Sequence, residues 1–87
     1  MGENNVYEQT CFCIQKIEIA LNQVNANLKD VIRTRIYVTD ITHWAEIGRA
    51  HLQYFGTIKP ATSMVQVSAL IDPKLLVEIE ATAIISA

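Results

Sequence analysis

Residues 31–38, VIRTRIYV, alternate strictly between apolar or small side chains and large polar ones. One face carries Ile32, Thr34, Ile36 and Val38, and the other carries Arg33, Arg35 and Tyr37. An alternation with a period of two predicts a β-strand that is buried on one face only. The rest of the chain must therefore supply elements that cover the apolar face and leave the other face open.

The sequences before and after this strand both show the periodicity of an amphipathic helix. Residues 8–25 predict an amphipathic helix, because apolar or small side chains recur at spacings of three and four. Its stripe consists of Thr10, Cys13, Ile14, Ile17, Leu21 and Val24, and Leu28 prolongs it. Asp40-Ile41-Thr42 offers a turn and an N-cap for a second helix at about residues 43–55, and Gly56 suits its C-cap. The stripe of the second helix holds Trp44, Ile47, Gly48, His51 and Phe55.

From Thr62 onward the period returns to two, and Asp72-Pro73 predicts a turn before a last strand that starts near Val77. The order helix, strand, helix, strand, strand predicts an α/β (α+β) fold with both helices on one face of a mixed sheet. The other face then collects the side chains of Arg33, Arg35, Tyr37, Gln66, Glu78 and Glu80. This face is either a solvated surface with arginine–glutamate pairs or a subunit interface.

Length and composition indicate one small domain that gains from association. The chain has 87 residues, of which 51% are hydrophobic and 18% are charged, so further burial against partner subunits is expected. The start, MGENNVYEQT, lacks the basic and apolar stretches of a secretory signal, and no apolar run is long enough for a membrane span. We therefore expect a cytoplasmic protein with no membrane partner. A net charge of -2 argues against nucleic acid as a partner.

The cysteines and histidines do not predict a metal site. Cys11 and Cys13 would point about 200° apart on a helix, so they can neither form a disulfide nor share a metal ion. His43 and His51 are eight positions apart. We expect reduced thiols and no metal or other cofactor.

Three stretches, RTRIYVTDI, YFG and VEIEATAI, resemble the Rid/YjgF family of reactive-intermediate deaminases. This family is also described as endoribonuclease L-PSP-like or translation-inhibitor proteins, and the resemblance runs from about Glu8 to the C-terminus. It implies a chorismate-mutase-like (ferredoxin-like) subunit and a homotrimer with clefts between subunits for small carboxylic or keto acids. Active members hydrolyse enamine or imine intermediates to keto acids and ammonia.

The resemblance also implies site residues. After the proline-alanine pair, active members carry an arginine that clamps the substrate carboxylate, whereas this chain has Thr62, with one donor and no charge. Ligand contacts are expected from Thr62, Ser63 and Met64, and the standard deaminase activity is expected to be lost or altered. Glu78 matches the family's cleft glutamate, which implies a general acid/base role. The alternative, an ion pair between Glu78 and an arginine of the first strand, stays open.

The family's members begin with strands ahead of the first helix, so residues 1–87 are expected to be a single, N-terminally shortened Rid/YjgF-like domain. Three functions follow as hypotheses. The first is a metabolite-binding oligomer in which Arg33, Arg35 or Arg49 replaces the missing cation. The second is a non-catalytic assembly or regulatory module. The third, a ribonuclease or translation inhibitor, is disfavoured because an acidic chain has no basic and aromatic patch.

Overall fold

The computed structural model describes residues 5–85. They form the helices α1 (Val6–Asn22) and α2 (Trp44–Phe55) and the strands β1 (Val31–Val38), β2 (Ala61–Gln66) and β3 (Val77–Ala83). Short 3-10 helices, Leu28–Asp30 and Ile41–His43, precede β1 and α2. The order helix, strand, helix, strand, strand is as predicted, and the α/β (α+β) fold class is confirmed.

The three strands form one mixed sheet in the order β2-β1-β3. β1 runs parallel to β2 and antiparallel to β3. Two parallel neighbours need a crossover connection, and α2 supplies it. Both edges of this sheet, β2 and β3, are therefore strands with a single partner among the described residues.

Both helices lie on the same face of the sheet, and the core fills the space between the two layers. One core cluster is formed by Val6, Ile36, Val38, Ile47 and Val77. A second is formed by Ile14, Leu28, Val31 and Phe55. Each fully buried side chain of this size contributes about 1.5–3 kcal/mol, so these residues hold α1 and α2 on the sheet.

The first helix begins earlier and ends earlier than predicted. Asn5 is its N-cap, and the Asn5 side chain accepts a hydrogen bond from the Glu8 backbone N–H at 3.0 Å. This cap satisfies one of the free N–H groups of the first turn, which is why the helix starts at Val6. It ends at Asn22, so Val24 lies outside it and is 59% exposed.

Three side chains lie on the opposite side from their predicted one. An irregularity in the pairing of β1 with β3 between Val31 and Arg33 buries Val31 and leaves Ile32 48% exposed. Gln66 pairs in register with the buried Val38, and its side-chain oxygen accepts from the Ile41 N–H, so it does not belong to the open face. Trp44, expected on the buried stripe of α2, is the first residue of that helix and is 64% exposed.

The chain reverses after α2 at Lys59 rather than at Gly56. Gly56 keeps a right-handed φ of -57°, while Lys59 has φ 55°, in the left-handed region that normally favours glycine. The Lys59 N–H closes the turn on the Phe55 carbonyl at 2.9 Å. Across residues 5–85, neither helix is long and apolar enough to cross a membrane.

Candidate functional site

The predicted site residues fall on two faces and two edges of the sheet. Thr62 pairs in register with the buried Thr34, so its side chain lies on the helix side of β2. Met64 lies on the same side and packs against the first core cluster. Ser63 points to the open face, where its hydroxyl accepts a hydrogen bond from Arg33 Nη2 at 2.9 Å. The structure therefore does not gather Thr62, Ser63 and Met64 around one space.

Glu78 lies on β3, with β1 between it and β2. At a strand spacing of about 4.8 Å, two spacings separate Glu78 from β2, so Glu78 lies at least about 10 Å from the site residues of that strand. It is exposed and lines a groove of about 410 Å³ between α1 and β3, together with Cys13 and Lys16. We call this the β3 groove. Burial is the main reason that the pKa of the Cys13 thiol is raised, with a smaller contribution from Glu78.

The alternative role of Glu78, an ion pair with an arginine of β1, is not realised. Within residues 5–85, Arg33 and Arg35 form no ion pair with Glu78 or Glu80. Arg33 instead bonds Ser63, and its buried Nε has no hydrogen-bond partner. Glu80 accepts from the Tyr37 hydroxyl at 2.6 Å, and this contact is the main reason that the pKa of Tyr37 is raised.

A second concave surface lies where α2 ends and β2 begins. It is an open cleft of about 210 Å³, which we call the α2–β2 cleft. Its lining consists of Gly48, His51, Leu52, Phe55, Gly56, Lys59, Pro60 and Thr62. At about 30 Å³ for each water molecule, it has room for a molecule of a few heavy atoms. Of the predicted site residues, it contains Thr62.

A hydrogen-bond chain crosses the wall of this cleft. Thr34 Oγ1 lies 2.9 Å from His51 Nε2 and 2.8 Å from Thr62 Oγ1. Thr62 Oγ1 also lies 3.1 Å from the Pro60 carbonyl oxygen, which can only accept. If the single Thr62 proton goes to Pro60, Thr62 must accept from Thr34, and Thr34 must accept from His51. All three bonds form together only when His51 Nε2 carries a proton.

His51 is half-buried in the cleft wall. Its ring packs against that of Phe55, with the centroids 4.7 Å apart and the planes tilted by 32°. Loss of hydration lowers the pKa of His51 below its ordinary value, and no charged neighbour contributes to this shift. The imidazole is therefore neutral at pH 7, with the Nε2–H directed to Thr34.

Lys59 supplies the positive charge of the cleft. It is exposed, and of the described residues that line the cleft, none is acidic. The arginines considered as replacement cations lie elsewhere. Arg33 bonds Ser63 on the open face, and Arg49 stacks over the Tyr7 ring at 4.4 Å. Sequence reasoning did not identify Lys59. Its position between Gly56, at the end of the second helix, and Pro60, shortly before Thr62, could have pointed to it.

A depression of about 580 Å³ lies between α1 and α2. Its lining includes Tyr7, Cys11 and Tyr54 and none of the predicted site residues. Hydrogen bonds such as that from Gln15 to the Tyr54 hydroxyl, 2.8 Å, already use several of its polar groups. Among the described residues, no three His, Cys, Asp or Glu side chains are close enough together to hold a metal ion. The α2–β2 cleft is the candidate site because it combines a predicted site residue and a lysine with no acidic residue in its described lining, whereas the β3 groove contains the carboxylate of Glu78.

Comparisons with known proteins agree with the fold and the motifs. Residues 1–85 match the family model described as endoribonuclease L-PSP. A RutC family protein of Pyrococcus abyssi is 37% identical over 82 residues, which cover 93% of this chain and 63% of that protein. The chain spans 61–64% of the length of such curated relatives.

Solved structures show the same relationship. Rv2704 of Mycobacterium tuberculosis, a member of the YjgF/YER057c/UK114 family, is 56% identical with a TM-score of 0.95 over 98% of this chain and 71% of its own. E. coli TdcF, solved with bound serine, is 26% identical with a TM-score of 0.86 over 93% of this chain and 65% of its own. This chain therefore belongs to the Rid/YjgF family, whose sequence model is described as endoribonuclease L-PSP.

Proposed function

We propose that this protein binds a small carboxylic or keto acid in the α2–β2 cleft, with enamine/imine deaminase activity lost or altered. The observation that carries the proposal is the pairing of a lysine with a hydroxyl in that cleft. Lys59 and Thr62 both line it, and no described lining residue is acidic. A carboxylate needs a cation and hydrogen-bond donors, and this lining offers both.

The bound serine of E. coli TdcF supports the proposed class of ligand. Serine is a small molecule with a carboxylate group, and the volume of the cleft, about 210 Å³, suits a molecule of that size. We also propose that the protein works as a homotrimer, as the family resemblance implies.

Active family members bind the carboxylate through an arginine, whereas this cleft offers Thr62 and Lys59. This difference determines the affinity that we expect. A lysine is a point charge without the planar fork that binds a carboxylate through two hydrogen bonds. An exposed ion pair contributes about 0.2–1 kcal/mol. We therefore expect a dissociation constant in the millimolar range, which corresponds to about -4 kcal/mol.

Calorimetric titration with pyruvate tests the binding site. Lys59→Gln should weaken binding severalfold, because it removes the charge and keeps a side chain of similar length. Lys29→Gln is the matched control, because Lys29 is also exposed and lies in the 3-10 helix before β1. Equal affinity in the wild type and Lys59→Gln would refute the assignment of the cation.

Enzymatic activity is tested separately. The wild type should leave the rate of imine disappearance in a dehydratase reaction close to the rate without protein. Thr62→Arg should raise that rate, because it returns a two-donor cation to the position that active members use. Ser63→Arg places the same side chain on the opposite face of β2 and should have no effect. Full deaminase activity in the wild type would contradict the proposed loss.

A non-catalytic assembly module is the second candidate, favoured by an apolar strip on α2. Trp44 and Leu52 are 64% and 66% exposed and are separated by two helical turns, with Gly48 between them. Large exposed apolar side chains at such a spacing are typical of protein–protein contacts. Native mass spectrometry that finds a trimer in the wild type and monomer in a Trp44→Ser, Leu52→Ser variant, together with no pyruvate binding by the wild type, would support this function. A stable trimer in that variant would argue against it.

A further inference from the structure

We propose that ligand binding in the α2–β2 cleft is linked to a proton on His51, so that a small carboxylate binds more tightly when the imidazole is charged. The inference rests on the proposed function, because it assigns a second cationic group to the same cleft. Lys59 carries a permanent charge there, and His51 would add a conditional one.

The geometry of the hydrogen-bond chain permits both charge states of His51. With Nε2–H directed to Thr34, protonation takes place at Nδ1 and breaks none of the three bonds. The opposite tautomer, with Thr34 donating to Nε2, would lose its bond when the ring is protonated. The hydrogen-bond chain therefore keeps the imidazole in one orientation while the charge of the ring changes.

Without a ligand, few groups around His51 favour protonation of the ring. Thr34 of β1 bonds the ring, and Thr62 of β2 and Lys59 of the preceding turn line the same cleft. Lys59 is the titratable group among these three described residues, and it does not contribute to the lowered pKa of His51, which comes from burial. The Phe55 ring, 4.7 Å away, stabilises an imidazolium weakly. A bound carboxylate would bring the opposite charge that this wall lacks.

Thr62 connects the two parts of the cleft. Its hydroxyl accepts a hydrogen bond from Thr34 and donates one to the Pro60 carbonyl. At 3.1 Å, the bond to Pro60 is the longest of the three hydrogen bonds. A carboxylate oxygen is a stronger acceptor than a carbonyl oxygen, so the Thr62 proton can turn to the ligand. The ligand would then be coupled to His51 through Thr34 as well as by charge.

The coupling has a calculable size. A rise of one unit in the pKa of His51 corresponds to at most about tenfold tighter binding at pH values below the unliganded pKa. Because that pKa is lowered, only part of this gain is reached at pH 6. We expect pyruvate to bind roughly two- to fivefold more tightly at pH 6 than at pH 8.

Nuclear magnetic resonance of the histidine side chains, with and without pyruvate, tests the linkage. The chain has two histidines, and His43 is an internal control because it is exposed between Asp40 and Glu46. Pyruvate should raise the pKa of His51 and leave the side-chain resonances of His43 where they are without it. Pyruvamide, an uncharged analogue of the same shape, should shift neither.

Titrations of a variant complete the test. His51→Gln keeps an N–H donor for Thr34 but cannot titrate, so its affinity for pyruvate should be equal at pH 6 and pH 8. Pyruvate binding of equal strength at both pH values in the wild type would overturn the linkage and leave the carboxylate site intact. An unchanged pH dependence in His51→Gln would also overturn it. Absence of pyruvate binding at either pH would overturn the proposed function together with the linkage.

Discussion

Thr34→Val is the substitution that most sharply tests the hydrogen-bond chain behind the α2–β2 cleft. Thr34 is fully buried, and its hydroxyl contacts both His51 and Thr62. Valine has the same shape and lacks the hydroxyl. The exchange therefore removes two hydrogen bonds, each of which contributes about 0.5–1.5 kcal/mol.

A gain in apolar burial offsets part of this loss. The added methyl group contributes up to about 0.8 kcal/mol, so we expect a net loss of about 1–2 kcal/mol in the free energy of unfolding. For a domain of 60–100 residues, each kcal/mol lowers Tm by about 4–8 °C, which predicts a decrease of roughly 4–16 °C.

Urea and thermal unfolding, followed by circular dichroism at one protein concentration, measure this loss. Thr82→Val is the matched control, since Thr82 lies on the exposed face of β3 with no side-chain hydrogen bond within the described structure, and its change should stay below about 0.5 kcal/mol. Thr34→Ser keeps the hydroxyl and should keep the His51 resonance at its wild-type position. If Thr34→Val were as stable as the wild type, the hydrogen-bond chain would contribute nothing to the fold.

Three further predictions concern the cleft and its supports. Gly48→Ala should stabilise the protein by about 0.5–1 kcal/mol in urea unfolding, because Gly48 lies within α2 and an added Cβ meets no atom within 4 Å; a loss of stability would refute this. Phe55→Ala should cost about 3–5 kcal/mol in the same assay, since the Phe55 ring is 1% exposed, and a cost below 1 kcal/mol would contradict its place in the core. The lowered pKa of His51 means that the unfolded chain takes up a proton before the native protein does, so the free energy of unfolding should fall as the pH drops below about 6.5, and His51→Gln should remove this slope. Hydrogen bonds from the Thr42 hydroxyl and N–H lower the pKa of Asp40. The stability that this carboxylate contributes is therefore lost only below its ordinary pKa of 3.8, outside the pH window of His51.

Much of the fold was readable from the sequence because it depends on local periodicity. The period of two in residues 31–38 matches β1, and in the last strand the side opposite Glu78 and Glu80 packs on the helices through Val77 and Ile79. Ile32 was assigned to the wrong face because a local irregularity in strand pairing shifts its phase. Two steps along β1, from Val31 to Arg33, face one step along β3, so Ile32 is an extra residue in β1 that only the pairing with β3 reveals.

The candidate site was less predictable because it depends on strand order. Thr34 and Thr62 meet only because β1 and β2 are parallel and in that register, although 28 positions separate them in the chain. His51 was assigned to the buried stripe of α2, and the period could not show that its ring would reach Thr34. The separation of Glu78 from Thr62 also follows from strand order, with β1 between their strands.

Mapping of the pyruvate site by ¹H–¹⁵N correlation spectra tests the central claim most directly. The account predicts that the largest shifts will occur at the backbone amides of Gly48, His51, Lys59 and Thr62, which surround the α2–β2 cleft. Shifts confined to Cys13, Lys16 and Glu78 would instead place the ligand in the β3 groove and contradict the account.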